Sequence, residues 1–226
     1  IPVHDGQMIT SAKTDRQRLV SGELIYTGME RTPIHAIVRT LKVDGVRCPL
    51  MAERFATIVD ANLVLGSLPE DPDNVDTADG RPRTRRCALS RLARMVGEDS
   101  ETLSEPLIVE MSRQICYIQA RQVARALWRK IEQATAACSG DSARELARLL
   151  VSGHGRPLVE RLKKFRMLKN WHFDYLEDSI GANSARCAPA LAVSQLCAQH
   201  VSFDCPDSTS CTQRSSMRYN NLDHSH

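Results

Sequence analysis

Apolar positions along this chain change their period repeatedly, and the changes mark out its elements. Near the start, Val3 and Ile9 flank Asp5-Gly6, a residue pair suited to a two-residue hairpin turn. Residues 23–27 and 34–41 are short β-rich runs on either side of a Gly28–Pro33 turn. A second pair, Asp44-Gly45, predicts a hairpin ending near Cys48-Pro49. Over 51–65 the spacing becomes helical, with Phe55, Ile58, Val59, Leu63 and Val64 on one stripe and Gly66 placed to stop the helix. Residues 67–84 carry three prolines, a glycine and five acids, which is loop chemistry.

Helical spacing returns over 86–96 through Leu89, Leu92, Ala93 and Val96. Ser104 then caps a long predicted helix with Pro106 in its first turn. That helix runs to about Cys138, its stripe marked by Ile108, Met111, Ile115, Ile118, Val123, Leu127 and Ile131. Residues 147–153 form an apolar run ending in Gly153. Gly155 follows, and Leu158, Val159 and Leu162 then take helical spacing. The order strand, Gly-His-Gly, helix is one way an α/β protein turns backbone N–H groups toward a phosphate. Residues 184–200 read as a last helix, and 201–226 lose all periodicity, which predicts a disordered tail.

Charge and composition narrow the function. The net charge of +3 and an aromatic content of 4% argue against a nucleic-acid partner. No apolar run approaches the roughly 18 residues that cross a bilayer, and the N-terminus carries no secretory pattern. The eight cysteines include no CxxC pair, so they read as free thiols in a reducing cytoplasm. The chain opens inside an apparent strand, which leads us to expect the C-terminal portion of a longer polypeptide.

The densest chemistry lies in TDRQRLVSGELIYTGMERTP, residues 14–33. Guanidinium forks grip phosphate, glycines admit close backbone approach, and a carboxylate orients an amine. One candidate cluster is therefore Asp15, Arg18, Gly22, Glu23, Thr27, Gly28, Arg31 and Thr32; the bland alternative is a strand-turn-strand edge with ordinary surface charge. A second is the acidic loop Asp76–Arg81, where Asp76 and Asp79 are suited to Mg²⁺ or form a solvated turn. A third is Ser152-Gly153-His154-Gly155. Glu53 and Asp60, seven apart on the 51–65 helix, project either toward this site or into solvent. His35 reads as a half-buried structural histidine and His154 as exposed. No Walker loop, GxGxxG, HExxH or nucleophile elbow is present.

In this order, GELIYTGMERTP, MAERFATIVDANLVLG, NVDTADGRPRT and RLARMVGED resemble the hydantoinase/oxoprolinase-like family. That family includes proteins of tetrahydromethanopterin-linked one-carbon transfer and of methanofuran biosynthesis. The resemblance is specific over about residues 11–100 and looser beyond. It implies an α/β fold, the C-terminal lobe of an actin/Hsp70/sugar-kinase-like architecture with the first lobe missing. Residues 1–200 would be that lobe. The implied reaction is a transferase step joining a furanylmethyl diphosphate to a tyramine-like phenol with pyrophosphate release. In it Asp15, Glu23 and Arg31 are catalytic, and Arg18, Gly22, Thr27, Gly28, Thr32, Arg81, Gly153 and Gly155 bind substrate phosphate. Asp76 and Asp79 hold Mg²⁺. The alternatives are an ATP-dependent amidohydrolase, with ATP at the Gly153–Gly155 turn, or an inactive fragment. Expected partners are small phosphate-ester, amine and phenol substrates and a second copy of the chain, with no nucleic acid and no membrane.

Overall fold

The protein is described here from a computed structural model, which covers residues 3–4, 7–137 and 148–200. The predicted tail and the Ser139-Gly140-Asp141 helix stop lie outside the described residues. Residues 1–186 form one compact unit, and Cys187–His226 form another.

Local chemistry explains most of the elements. β1 (Val3–His4) pairs antiparallel with β2 (Gln7–Met8) where the first hairpin is predicted, with Val3 opposite Met8. β3 (Thr40–Val43) and β4 (Val46–Pro49) form the second. Its turn has Asp44 at φ 47° and Gly45 at φ 79°. Both are left-handed, as a type I′ turn between right-twisted strands requires. α2 (Ile58–Val64) starts where Asp60 Oδ2 accepts from the Thr57 N–H at 2.8 Å, and every residue in it is buried. α3 (Arg85–Arg94) begins at Thr84, whose Oγ1 accepts from the Cys87 N–H. α4 (Glu105–Ala137) extends over 33 residues, close to the predicted span.

Four expectations are corrected. Residues 23–27 form no strand, and 34–41 begin instead with a 3₁₀ turn, Ile34–Ala36. Pro33 bridges to Thr57 there and the Ile34 N–H bonds the Ala56 carbonyl, so this segment packs against the start of α2 rather than extending. A helix, α1 (Asp15–Ser21), stands where the strand-turn-strand alternative placed a strand. Thr14 and Gln17 cap it reciprocally, and Gly22 ends it at φ 76°. The 51–65 helix is confined to α2, so Glu53 lies outside it, and Asp60 is 2% exposed rather than solvated. The final helical run is broken into α7 (Ala182–Arg186) and α8 (Ala188–His200), which follow β6 (His172–Tyr175) and α6 (Leu176–Ile180).

The architecture is mixed α/β with small sheets. β5 (Arg148–Val151) pairs in parallel with β6, and α5 (Arg156–Leu162) connects them. Two apolar clusters lie along α4. The first joins Ile34, Val38 and Leu41 with α2, α3 and Ile108, Met111 and Ile115. The second joins Ala120, Ala124 and Ile131 with Leu162 and Leu168. Full burial of each large aliphatic side chain contributes about 1.5–3 kcal/mol, so α4 serves as the common spine of both clusters. Among the described residues no helix is long and apolar enough to cross a membrane.

Candidate functional site

The 27–33 turn is held from below by a buried amide. Gln119, fully buried on α4, donates through Nε2 to Thr27 Oγ1 at 3.0 Å and to the Gly28 carbonyl at 2.9 Å. The Gly28 N–H in turn donates to Thr32 Oγ1 at 2.9 Å. Thr27, Gly28 and Thr32 are therefore one hydrogen-bonded loop, and Arg31 is exposed at its rim. Among the described residues Arg31 has no hydrogen-bond or ion-pair partner. Glu30 reaches across to Arg83 through two bonds of 2.9 and 3.3 Å, which ties this loop to the acidic loop.

A chain of alternating charge runs beneath. Arg91 is fully buried and donates through Nε to Asp60 Oδ1 at 2.7 Å and through Nη1 to Asp79 Oδ1 at 2.9 Å. Asp79 Oδ2 accepts from Arg81 Nε at 2.7 Å. Burial pushes the Asp60 carboxyl upward, against the pull of Arg91 and of the Thr57 backbone and hydroxyl. Asp79 behaves oppositely: burial opposes it, but bonds from Arg81 and Arg91 hold it below the usual carboxylate range. Both Asp79 oxygens are thus engaged by guanidinium groups, and Asp76 is exposed a few residues away. Among the described residues no three His, Cys, Asp or Glu side chains converge as a metal centre. A cation at Asp79 would have to displace an arginine.

This arrangement has a pH signature. A carboxyl depressed by folding stabilises the native state above its unfolded pKa, and that contribution is lost as pH falls through the folded value. The urea midpoint of the protein should therefore drop as pH falls from about 5 toward 3. Asp79→Asn should flatten that acid limb. An unchanged limb in the variant would show that Asp79 is not held this way.

The other half of the first cluster lies further along α4. Glu23 Oε2 accepts from Thr10 Oγ1 at 2.6 Å. That bond first, and the nearby Lys130 ammonium later, lowers the Glu23 carboxyl despite some desolvation. Glu23, Thr10, Lys130 and Gln133 line a groove of about 450 Å³. A neighbouring groove of about 370 Å³ is bounded by Leu19, Gly22, Arg129 and Lys130. Gln119 and Lys130 are eleven positions apart on α4, roughly 16 Å at 1.5 Å per residue. The two halves of the first cluster therefore occupy successive stations on one helix. Arg18 sits beside the second groove on α1, half-buried, with its Nε shielded from solvent and lacking a hydrogen-bond partner. Asp15 is exposed in the first turn of α1.

The third cluster stands apart in its bonding. Gly153 has φ 80° and Gly155 precedes α5, with open space where either Cβ would be. Arg156 is committed to Glu177 and Asp178 and lies 4.0 Å over the Tyr175 ring. His154 is exposed, and His35 donates through Nδ1 to the Glu53 carbonyl, a structural role.

Arg91, Gln119, Lys130, Thr10, Glu30 and Arg83 did not stand out in the sequence. A signal existed for two of them. Arg91 falls between Ala88, Leu92 and Met95 on the buried stripe of α3, and Gln119 continues the Ile108–Ser112–Ile115 stripe of α4. A charge or amide at a core position marks a buried polar network.

No family model matches the chain. Two curated relatives do, both synthases of the same name. The (4-{4-[2-(gamma-L-glutamylamino)ethyl]phenoxymethyl}furan-2-yl)methanamine synthase of Methanocaldococcus jannaschii is 29% identical over 115 residues, 51% of this chain and 34% of that protein. The enzyme of the same name from Methanococcus vannielii is 34% identical over 104 residues, 46% of each chain. The matched region thus spans about a third to a half of these relatives. Neither relative is named as a hydantoinase or oxoprolinase.

Proposed function

We propose that this chain forms the substrate-binding body of a synthase that joins a furanylmethyl diphosphate to a tyramine-like phenol in methanofuran-type cofactor synthesis. The observation that carries this reading is the similarity to two curated synthases whose named product contains a phenoxymethyl-furan ether. In the reaction the phenol oxygen attacks the exocyclic methylene carbon. The carbon–oxygen bond to the diphosphate breaks, pyrophosphate leaves with the bonding pair, and the phenol proton passes to a carboxylate.

Catalysis then consists mainly of stabilising the departing charge. Arg31 at the rim of the Thr27–Thr32 loop is the first donor suited to the diphosphate. Arg81 is the second, oriented through Asp79 by the buried Arg91. The Thr27–Thr32 loop contributes a rigid edge because Gln119 pins it. Glu23 and Asp15 are the carboxylates available for the phenol proton or for a substrate amine. Mg²⁺ enters only as the diphosphate's counter-ion, with the exposed Asp76 able to meet it. The actin-like lobe architecture belongs to the same reading.

The test is direct. The purified chain is incubated with a furanylmethyl diphosphate and γ-glutamyl-tyramine, and pyrophosphate and the ether are quantified. One pyrophosphate per ether, with no response to ATP, is the expected result. ATP-dependent phosphate release from a cyclic amide, or no ether at all, would overturn it.

A further inference from the structure

The groove between Thr10 and the end of α4 holds two opposite charges that do not neutralise each other. Glu23 takes a hydroxyl from Thr10, and Lys130 Nζ donates to Gln133 Oε1 at 2.7 Å. Among the described residues neither forms an ion pair within 4.0 Å, although Lys130 is close enough to act on the Glu23 carboxyl. An exposed Lys–Glu couple ordinarily collapses into contact or swings into water. Here the Lys130 stem lies over Gly22, and its ammonium donates to Gln133. The space left between the two charges is the 450 Å³ groove itself. Arg129, which has no ion-pair partner among the described residues, adds a second cation at the adjoining groove, on the Lys130 side.

The two adjoining grooves together present the Glu23 carboxylate in one, the Lys130 ammonium shared by both and the Arg129 guanidinium in the other, an arrangement complementary to a zwitterion. We infer that it binds the free α-amino-acid end of a γ-glutamyl substrate. The substrate ammonium sits on Glu23 and Thr10, and its α-carboxylate on Lys130 and Arg129. This rests on the proposed synthase function for the choice of ligand, since the relatives' product carries a γ-L-glutamylamino arm. The arm's ethylphenol would extend past Gly22 along the Lys130 stem toward the adjoining groove. Glu23 held by an ammonium cannot also take the phenol proton, so that role passes to Asp15.

Binding, rather than turnover, tests the inference separately from the reaction. Equilibrium binding to the full chain is measured for γ-glutamyl-tyramine, its N-acetyl derivative, its α-carboxamide and tyramine. Charge-assisted bonds of this kind are each worth about tenfold or more in affinity. The wild type should therefore bind γ-glutamyl-tyramine at least about tenfold more tightly than either single-charge derivative. Glu23→Gln, which keeps a hydrogen-bond acceptor for Thr10, should abolish discrimination against the N-acetyl compound only. Lys130→Met, which keeps the apolar stem, should abolish discrimination against the carboxamide only. That crossed pattern cannot arise from misfolding, which weakens all four ligands together. Equal binding of all four by the wild type, absence of binding, or identical effects of the two variants would overturn the inference. Ether formation that ignores the head group would sink it alone, while head-group binding without ether would sink only the synthase reading.

Discussion

Arg91→Met should destabilise the protein by about 3–5 kcal/mol, the cost of leaving one member of a buried ion pair behind. The arginine is fully buried and Asp60 is 2% exposed, so solvent cannot replace the lost partner. Asp60 would keep only the Thr57 backbone and hydroxyl as donors. Its carboxyl, already pushed upward by burial, would rise further and take up a proton in the native state. The variant's native state then binds more protons than its unfolded state above about pH 4. Its stability falls as pH rises, so the deficit should be larger at pH 8 than at pH 5. Adding Asp60→Asn removes the stranded charge, and the double variant should be more stable than Arg91→Met alone. Chemical denaturation of the three proteins at both pH values measures this. A deficit under 1 kcal/mol, or one independent of pH, would show that the Asp60–Arg91 bond carries little.

The same pair shows where sequence reasoning stops. The stripe of α3 is legible through Leu89, Leu92 and Ala93, and the helix starts expected at residue 86 and after Ser104 lie within a residue or two of those observed. The two Asp-Gly hairpins were legible because turn chemistry is local. α1 carried its capping box in the sequence as Thr14 and Gln17, but its apolar residues, Leu19 and Val20, face solvent and gave no stripe. β5 was legible as an apolar run, whereas its partner β6 was not. The pairing of Leu149 with Phe173 crosses twenty-four positions of chain, and register of that kind leaves no local trace. The site divides likewise. The residue types of 14–33 and 76–81 announced anion chemistry, but not that Arg91 would consume the charge of Asp79 from inside the core. Nor did they show that Gln119 and Lys130 would set the two halves of the first cluster apart along one helix.

Arg31→Ala should lower kcat/KM for the furanylmethyl diphosphate by about 100-fold, the usual loss when one preorganised donor to a developing charge is removed. Arg31 is exposed and, among the described residues, unpartnered, so its removal should leave the denaturation midpoint within about 0.5 kcal/mol of wild type. Arg31→Lys should recover little, because a point charge does not reproduce a bidentate fork. Arg39, exposed beside the second hairpin, serves as the control: Arg39→Ala should turn over normally. The split between constants is informative as well. A donor used mainly on the departing pyrophosphate lowers kcat more than it raises KM, whereas one that only anchors the ground state raises KM alone. Unchanged turnover and unchanged substrate affinity in Arg31→Ala would remove that arginine, and with it the anion-binding reading of the Thr27–Thr32 loop.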